Sequence, residues 1–290
     1  MDTLIDAAAL KDLLDGGQGT ARRTVVLDVR WALGDPHGHD HYLRGHIPGA
    51  VFVDLATELA GPAEPRRGRH PLPPPERFQE SARSWGINDG DVVVAYDDSG
   101  NMAAARLWWM LRNAGFPAVH LLDGGLAGWR AAGFDLAAGS EQPAAGNVTL
   151  SGGAMPAIDA GQAASWGEHG LLLDARAGER YRGEIEPVDP RAGHIPGAVS
   201  APTTGNLRPD GRFLAPAKLR ERFERLGYRT GVPTAVYCGS GVTAAHEIAA
   251  LEIAGLSGAL YPGSFSEWCH SASNAVVTGA SPYGEDPATS

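Results

Sequence analysis

The chain repeats itself once, and that duplication limits the folds open to it more than any other feature. Leu27-Asp28-Val29-Arg30 is matched by Leu173-Asp174-Ala175-Arg176. Gly45-His46-Ile47-Pro48-Gly49-Ala50 returns unchanged as Gly193 to Ala198. Val92 to Tyr96, followed by Asp97-Asp98-Ser99-Gly100, corresponds to Thr234 to Tyr237, followed by Cys238-Gly239-Ser240-Gly241. Gly124 with Trp129 corresponds to Gly263 with Trp268. Ordered matches at an offset of 139–148 residues describe two duplicated domains, because a short-period solenoid needs many more copies.

A length of 290 residues suits two domains. The stretch around residues 139–156 is rich in Ala, Gly, Ser and Pro and lacks periodicity, so it reads as a linker. Domains are expected at residues 1–138 and 157–290, with a loose tail from Thr278 to Ser290. Short apolar runs predict strands at Val25–Asp28, Val51–Val53, Val92–Tyr96 and Val119–Leu122. Helices are predicted over Ala103–Asn113 and Leu126–Ala132. The second half gives strands at Leu171–Asp174, Thr234–Tyr237 and Leu260-Tyr261, and a helix over Thr243–Ala254. Such alternation predicts an α/β fold, each half a parallel sheet flanked by helices. Ligands of such folds gather at the carboxyl ends of the strands.

Composition narrows the partners. Lys and Arg number 24 against 34 Asp and Glu, a net charge of −10, which argues against nucleic acid or an anionic membrane. No apolar run approaches the ~18 residues of a membrane span. The amino terminus carries acids where a secretory signal carries lysine or arginine, so the expected location is cytoplasmic. Two cysteines, Cys238 and Cys269, are too few for a disulfide framework or a thiolate zinc site. Each is then either an inert buried thiol or a reactive one.

Cys238 falls at the tip of a predicted strand, and Cys238 to Thr243 form a turn into the next helix. Gly239 and Gly241 give the turn backbone freedom, so its amides can converge on one point. The positive end of the following helix adds to that field. Such a site stabilises a thiolate, and equally a persulfide anion. The first copy of the repeat has Asp97 in this position, so one half reads as active and the other as inert.

The duplicated halves, the Gly-His-Ile-Pro-Gly-Ala segments and Cys238-Gly-Ser-Gly-Val-Thr243 together resemble tandem-domain rhodanese sulfurtransferases, over nearly the whole chain. The resemblance implies an inactive amino-terminal and a catalytic carboxyl-terminal rhodanese domain, with Cys238 carrying sulfur. The neutral Gly239 and Ser240 are similar to the loop of 3-mercaptopyruvate enzymes, whereas thiosulfate enzymes usually carry basic residues there. By the same likeness Arg180 and Arg191 hold the donor carboxylate, a task that suits a guanidinium because it donates two parallel hydrogen bonds. This chain has two extra residues between those arginines. Amides of Gly239, Ser240, Gly241, Val242 and Thr243 are expected to bind the anion. Related enzymes are proposed to use a Ser-His-Asp group, for which Ser240, His46 and Asp35 are candidates. The implied donor is 3-mercaptopyruvate, with thiosulfate the alternative. The acceptor is cyanide, a small thiol or a thioredoxin-like protein, and no metal or organic cofactor is needed.

Other readings fit less well. His37, His39, His41 and His46 crowd one segment with no cysteine near, and a surface loop is expected rather than a metal site. Arg30 and Arg176 follow an aspartate by two residues in both halves, which points to structural ion pairs. A cysteine phosphatase needs an arginine at the end of its anion loop, where this chain has Ala244. No Gly-x-x-x-x-Gly-Lys stretch supports a nucleotide site, and no protease signature surrounds Cys238. A non-catalytic sulfur-relay or interaction module is the remaining alternative, since Asp97 shows that one half can lack the cysteine.

Overall fold

The structure, a computed structural model, describes residues 2–16 and 22–285. The chain divides into two compact units. The first is Met1–Gly61, Pro73–Met155 and Leu207–Phe213; the second is Pro62–Leu72, Pro156–Asn206 and Leu214–Ser290.

The first unit runs β1 (Leu4–Ile5), α1 (Ala7–Asp15), β2 (Thr24–Asp28), α2 (Gly38–Arg44), β3 (Val51–Phe52), α3 (Leu55–Glu58), α4 (Pro75–Ser84), β4 (Val92–Tyr96), α5 (Ala104–Asn113), β5 (Val119–Leu122) and α6 (Gly125–Ala131). Its strands pair in parallel in the order β1-β5-β4-β2-β3. The second unit runs α7 (Ala160–His169), β6 (Leu171–Asp174), α8 (Gly178–Arg182), β7 (Ala198–Ser200), α9 (Pro216–Arg225), β8 (Thr234–Tyr237), α10 (Thr243–Ile253), β9 (Ala259–Leu260) and α11 (Ser264–Trp268). Its parallel order is β7-β6-β8-β9. An isolated parallel bridge from Ala157 to Leu260 supplies the counterpart of β1, so both sheets follow one plan.

Local chemistry explains the ends of several helices. The Asp6 carboxylate accepts from the Ala9 amide at 2.8 Å and caps α1. Asp159 and Gln162 form a reciprocal capping box on α7. Prolines open α4 and α9, where a missing N–H costs nothing. Val26, Val94, Leu122 and Trp129 are buried in one core, and Leu172, Ala235, Tyr237 and Phe265 in the other. Each buried Val, Leu or Phe among them contributes about 1.5–3 kcal/mol by leaving water.

The repeated motifs do the same structural work in both units. Arg30 pairs with Asp28 at 2.7 Å and donates to the Gly45 carbonyl at 2.8 Å. Arg176 pairs with Asp174 at 2.6 Å and donates to the Gly193 carbonyl at 2.7 Å. His46 stacks on Tyr42 and its Nδ1 bonds the Tyr42 carbonyl, as His194 does with Tyr181. These buried groups fix the entry to β3 and β7.

Three expectations change. The histidine-rich segment contains a short helix, α2; His37, just before it, pairs with Asp40, and His41 pairs with Asp35 ahead of the helix. Residues 139–156 contain no regular helix, yet the Gly146 amide bonds the Arg83 carbonyl at 2.8 Å and Val148 is fully buried. The expected linker is therefore fastened to the first unit at these points. In the tail, residues 286–290 lie outside the described residues. The remainder is tied down: the Gly197 amide bonds the Pro282 carbonyl at 2.6 Å, and His194 Nε2 lies 3.1 Å from the Ser281 carbonyl.

Candidate active site

β8 is flanked on both sides within its sheet, and Cys238 follows its last residue with 1% of its surface exposed. The Cys238 amide donates to Ser264 Oγ at 3.1 Å, and the Cys238 carbonyl accepts from the Phe265 amide at 3.0 Å. The next carbonyl, that of Gly239, accepts from the Ser266 amide at 2.8 Å. The start of α11 therefore grips the backbone on both sides of the thiol. Ser264 pays for its place there with a left-handed φ of 54°, held by its hydroxyl, which also donates to the Tyr261 carbonyl at 2.8 Å. Gly241 has φ 78°, a conformation that suits glycine, and its amide turns back to donate to Cys238 Sγ at 3.1 Å.

The first unit shows what such a turn can hold. Asp97 occupies the position of Cys238 and is fully buried. Its Oδ1 accepts from the amides of Ser99 (2.9 Å) and Asn101 (2.7 Å), and its Oδ2 from those of Ala103 (2.8 Å) and Ala104 (3.1 Å). Burial pushes this carboxyl above its ordinary range, and the four amides pull the other way. Gly100, with φ 74°, matches Gly241. The turn is thus a nest of convergent amides, filled in the first unit by the chain's own carboxylate and addressed in the second by a sulfur.

Charged groups gather at Gly239. A methyl at Gly239 would come 3.0 Å from Arg69 Nη2 and 3.4 Å from Arg180 Nη1, so both guanidiniums lie against the residue after Cys238. Arg180 Nη2 pairs with Glu186 Oε1 at 2.6 Å and with Asp189 Oδ2 at 3.1 Å. Arg69 Nη1 pairs with the other oxygen of Asp189. Burial raises the Asp189 carboxyl against the pull of Arg69 and Arg180. Burial also works upward on Glu186, but the Arg180 hydrogen bond and the Asp189 amide outweigh it and leave Glu186 below its ordinary value. Ser240 is buried, and its Oγ lies 2.7 Å from His70 Nδ1.

The structure therefore brings Cys238, Gly239, Ser240, Gly241 and Arg180 together, with Val242 and Thr243 leading into α10. Arg191 directs Nη1 to the carbonyls of Ser271 (3.2 Å) and Asn274 (2.8 Å), in the loop after α11. The histidine that meets Ser240 is His70. His46 is buried in the first unit against Tyr42, and Asp35 there faces His41 at 3.0 Å and the His37 amide at 2.9 Å. Cys269 is buried, and its thiol is pushed up to about 11 by burial and by the nearby Asp189. Arg69 and His70 escaped the sequence reading because they fall in a Pro- and Arg-rich stretch with no strand or helix pattern and no repeat partner. Their contacts with Asp189 and Ser240 span 120 and 170 residues. Among the described residues, no group of three or more His, Cys, Asp or Glu is placed to hold a metal ion, and no helix is long and apolar enough to cross a membrane.

The chain is similar to known proteins. The Rhodanese-like domain family matches twice, at residues 6–132 and 158–271. A Mycobacterium tuberculosis protein provisionally named thiosulfate sulfurtransferase SseB is 45% identical over 270 residues, covering 91% of this chain and 93% of its own. A Pseudomonas aeruginosa protein provisionally named 3-mercaptopyruvate sulfurtransferase is 47% identical over 262 residues, covering 88% and 92%. The crystal structure of SseA from Escherichia coli, described as a rhodanese fold with the mechanism of 3-mercaptopyruvate enzymes, superposes with a TM-score of 0.80 at 32% identity, covering 91% of this chain and 99% of that one.

Proposed function

This chain belongs to the rhodanese family, and from that premise we propose that it is a sulfurtransferase moving sulfane sulfur from 3-mercaptopyruvate to a thiophilic acceptor through a persulfide on Cys238. The observation that carries the reading is the Gly241 amide aimed at Cys238 Sγ, in a turn whose twin cradles a buried carboxylate. The first unit, with Asp97 in place of the cysteine, has no sulfur carrier at that position and serves as an inactive rhodanese-like domain.

The chemistry is ping-pong transfer. The Cys238 thiolate attacks the donor's sulfur and forms an S–S bond. The donor's C–S bond breaks, and its electron pair passes to carbon as the enolate of pyruvate, which takes up a proton. The outer sulfur remains on Cys238 as a persulfide anion, stabilised by amides of the Gly239–Thr243 turn and the amino end of α10. Arg180, beside Gly239, holds the donor's carboxylate. The Ser240–His70 pair offers a hydroxyl and an imidazole to carry the donor's proton. Cyanide, a small thiol or a reduced thioredoxin-like protein then attacks the outer sulfur and restores the Cys238 thiolate. The donor set of the site asks for no metal or organic cofactor.

Mass spectrometry after incubation with donor tests the carrier. A gain of about 32 Da (one sulfur atom in the covalent intermediate) is expected on the wild type and absent from Cys238→Ser; an unchanged gain in that variant rules out Cys238. Thiosulfate is the competing donor, the one in the name of the mycobacterial relative. A comparison of kcat/KM for the two donors decides: mercaptopyruvate is expected to be preferred, and a wide margin for thiosulfate rejects this donor.

A further inference from the structure

We infer that Arg69, not recognisable as a site residue in the sequence, is the second guanidinium of the donor site and sets its preference for donors with a carboxylate beside a keto oxygen. The inference rests on the sulfur-donor reading above and adds a residue to it. Arg180 spends Nε and Nη2 on Glu186 and Asp189. Arg69 spends Nη1 on Asp189. The nitrogens left over, Arg69 Nη2 and Arg180 Nη1, have no acceptor among the described residues, and they are the atoms nearest to Gly239. Arg69 Nε is also buried without an acceptor. A buried guanidinium donor such as Arg69 Nε that meets nothing in the protein is costly, and an anion at Gly239 gives the two nitrogens beside it charge-assisted partners.

The placement of Arg69 is built in. Its backbone amide donates to Ser266 Oγ at 3.1 Å, and Ser266 in turn donates its amide to the Gly239 carbonyl at 2.8 Å. One residue, Ser266, thus ties the Arg69 backbone to the turn that carries the thiol. Asp189 spans the two arginines, one oxygen to each, and fixes their spacing. With Glu186 present, the two positive charges face two negative ones, so selection rests on direction and geometry rather than on net charge. In 3-mercaptopyruvate the carboxylate lies three carbons from the sulfur, a reach comparable to the ~3.8 Å between consecutive Cα atoms. A donor whose sulfur meets Cys238 Sγ therefore brings its carboxylate beside the adjacent Gly239, the residue against which both guanidiniums lie. Arg180 and Arg69 then divide the carboxylate and keto oxygens between them.

Steady-state kinetics with mercaptopyruvate as donor and cyanide as acceptor tests this. Arg69→Ala is expected to raise the mercaptopyruvate KM about 10- to 100-fold, the worth of a charge-assisted hydrogen bond, with kcat changed far less. The KM for cyanide stays at the wild-type value. Arg182→Ala, removing a neighbouring arginine whose partner is the exposed Glu184, leaves all constants unchanged. Arg69→Lys keeps a cation beside Asp189 but not the fork, and it recovers only part of the donor KM. A donor KM within twofold of wild type in either Arg69 variant, or a loss confined to kcat, overturns the inference. Should Arg69→Ala fail to fold, the lysine variant alone decides. Failure of the underlying function looks different: the wild type itself then gains no sulfur on Cys238 from either donor.

Discussion

Replacing Asp97 with Asn tests the idea that the strand-to-helix turn is an anion nest, away from the reactive sulfur. Each oxygen of the Asp97 carboxylate accepts two amides at 2.7–3.1 Å. An asparagine presents one oxygen and one NH2, so either orientation leaves two buried amides facing a donor. An orphaned buried donor costs about 1–3 kcal/mol, which gives roughly 2–6 kcal/mol for the pair. A second effect opposes this: Asn carries no charge, and burial of the charge is what raises the Asp97 carboxyl. The directional loss is expected to win, because an NH2 cannot accept at all, and a net destabilisation of about 2–4 kcal/mol remains. Urea unfolding followed by tryptophan fluorescence measures it, since Trp85, Trp108, Trp109 and Trp129 are all buried in the first unit. The transition should move to lower urea with its slope preserved. A midpoint equal to or above that of the wild type would falsify the nest, and with it the argument that the same turn stabilises an anionic sulfur at Cys238.

The remaining predictions concern the second unit. Gly241→Ala places a side chain at φ 78° and moves the amide that meets Cys238 Sγ; sulfur loading should slow at least about tenfold, with roughly 1–2 kcal/mol of stability lost, and a loading rate equal to that of the wild type refutes the role of this amide. Cys269 should stay a buried thiol: alkylation of the native protein at pH 8 leaves it unlabelled, and Cys269→Ala still gains sulfur on Cys238. Because its folded value, about 11, lies above the ordinary 9.0, its contribution to stability is complete below the ordinary value and is lost as pH rises through about 11. Alkaline unfolding curves of the wild type and Cys269→Ala should therefore converge over that window, and curves that stay parallel contradict the assignment.

Much of the fold was legible because the apolar runs are short and almost wholly buried. β4, β5, β6 and β8 fall where Val92–Tyr96, Val119–Leu122, Leu171–Asp174 and Thr234–Tyr237 predict them. A strand covered on both faces has few polar positions to blur its ends. α4 and α9 were illegible for the opposite reason: each buries only two side chains, Phe78 and Ala82 or Leu219 and Phe223, among charged neighbours. The histidine segment misled because its polar residues hide a short helix whose buried contact is Tyr42 alone.

The sequence by itself determined the duplication, the α/β class, Cys238 at a strand tip and its inert counterpart Asp97, all set by local pattern and by comparing one half with the other. Only the tertiary structure decided which side chains surround the sulfur. Arg69 and His70 reach Asp189 and Ser240 across more than a hundred residues, from a segment with no periodicity of its own. Their roles depend on distances between parts of the chain remote in sequence, and no local spacing encodes those. The same holds for Arg191, which the family resemblance put at the donor carboxylate and whose Nη1 meets the carbonyls of Ser271 and Asn274.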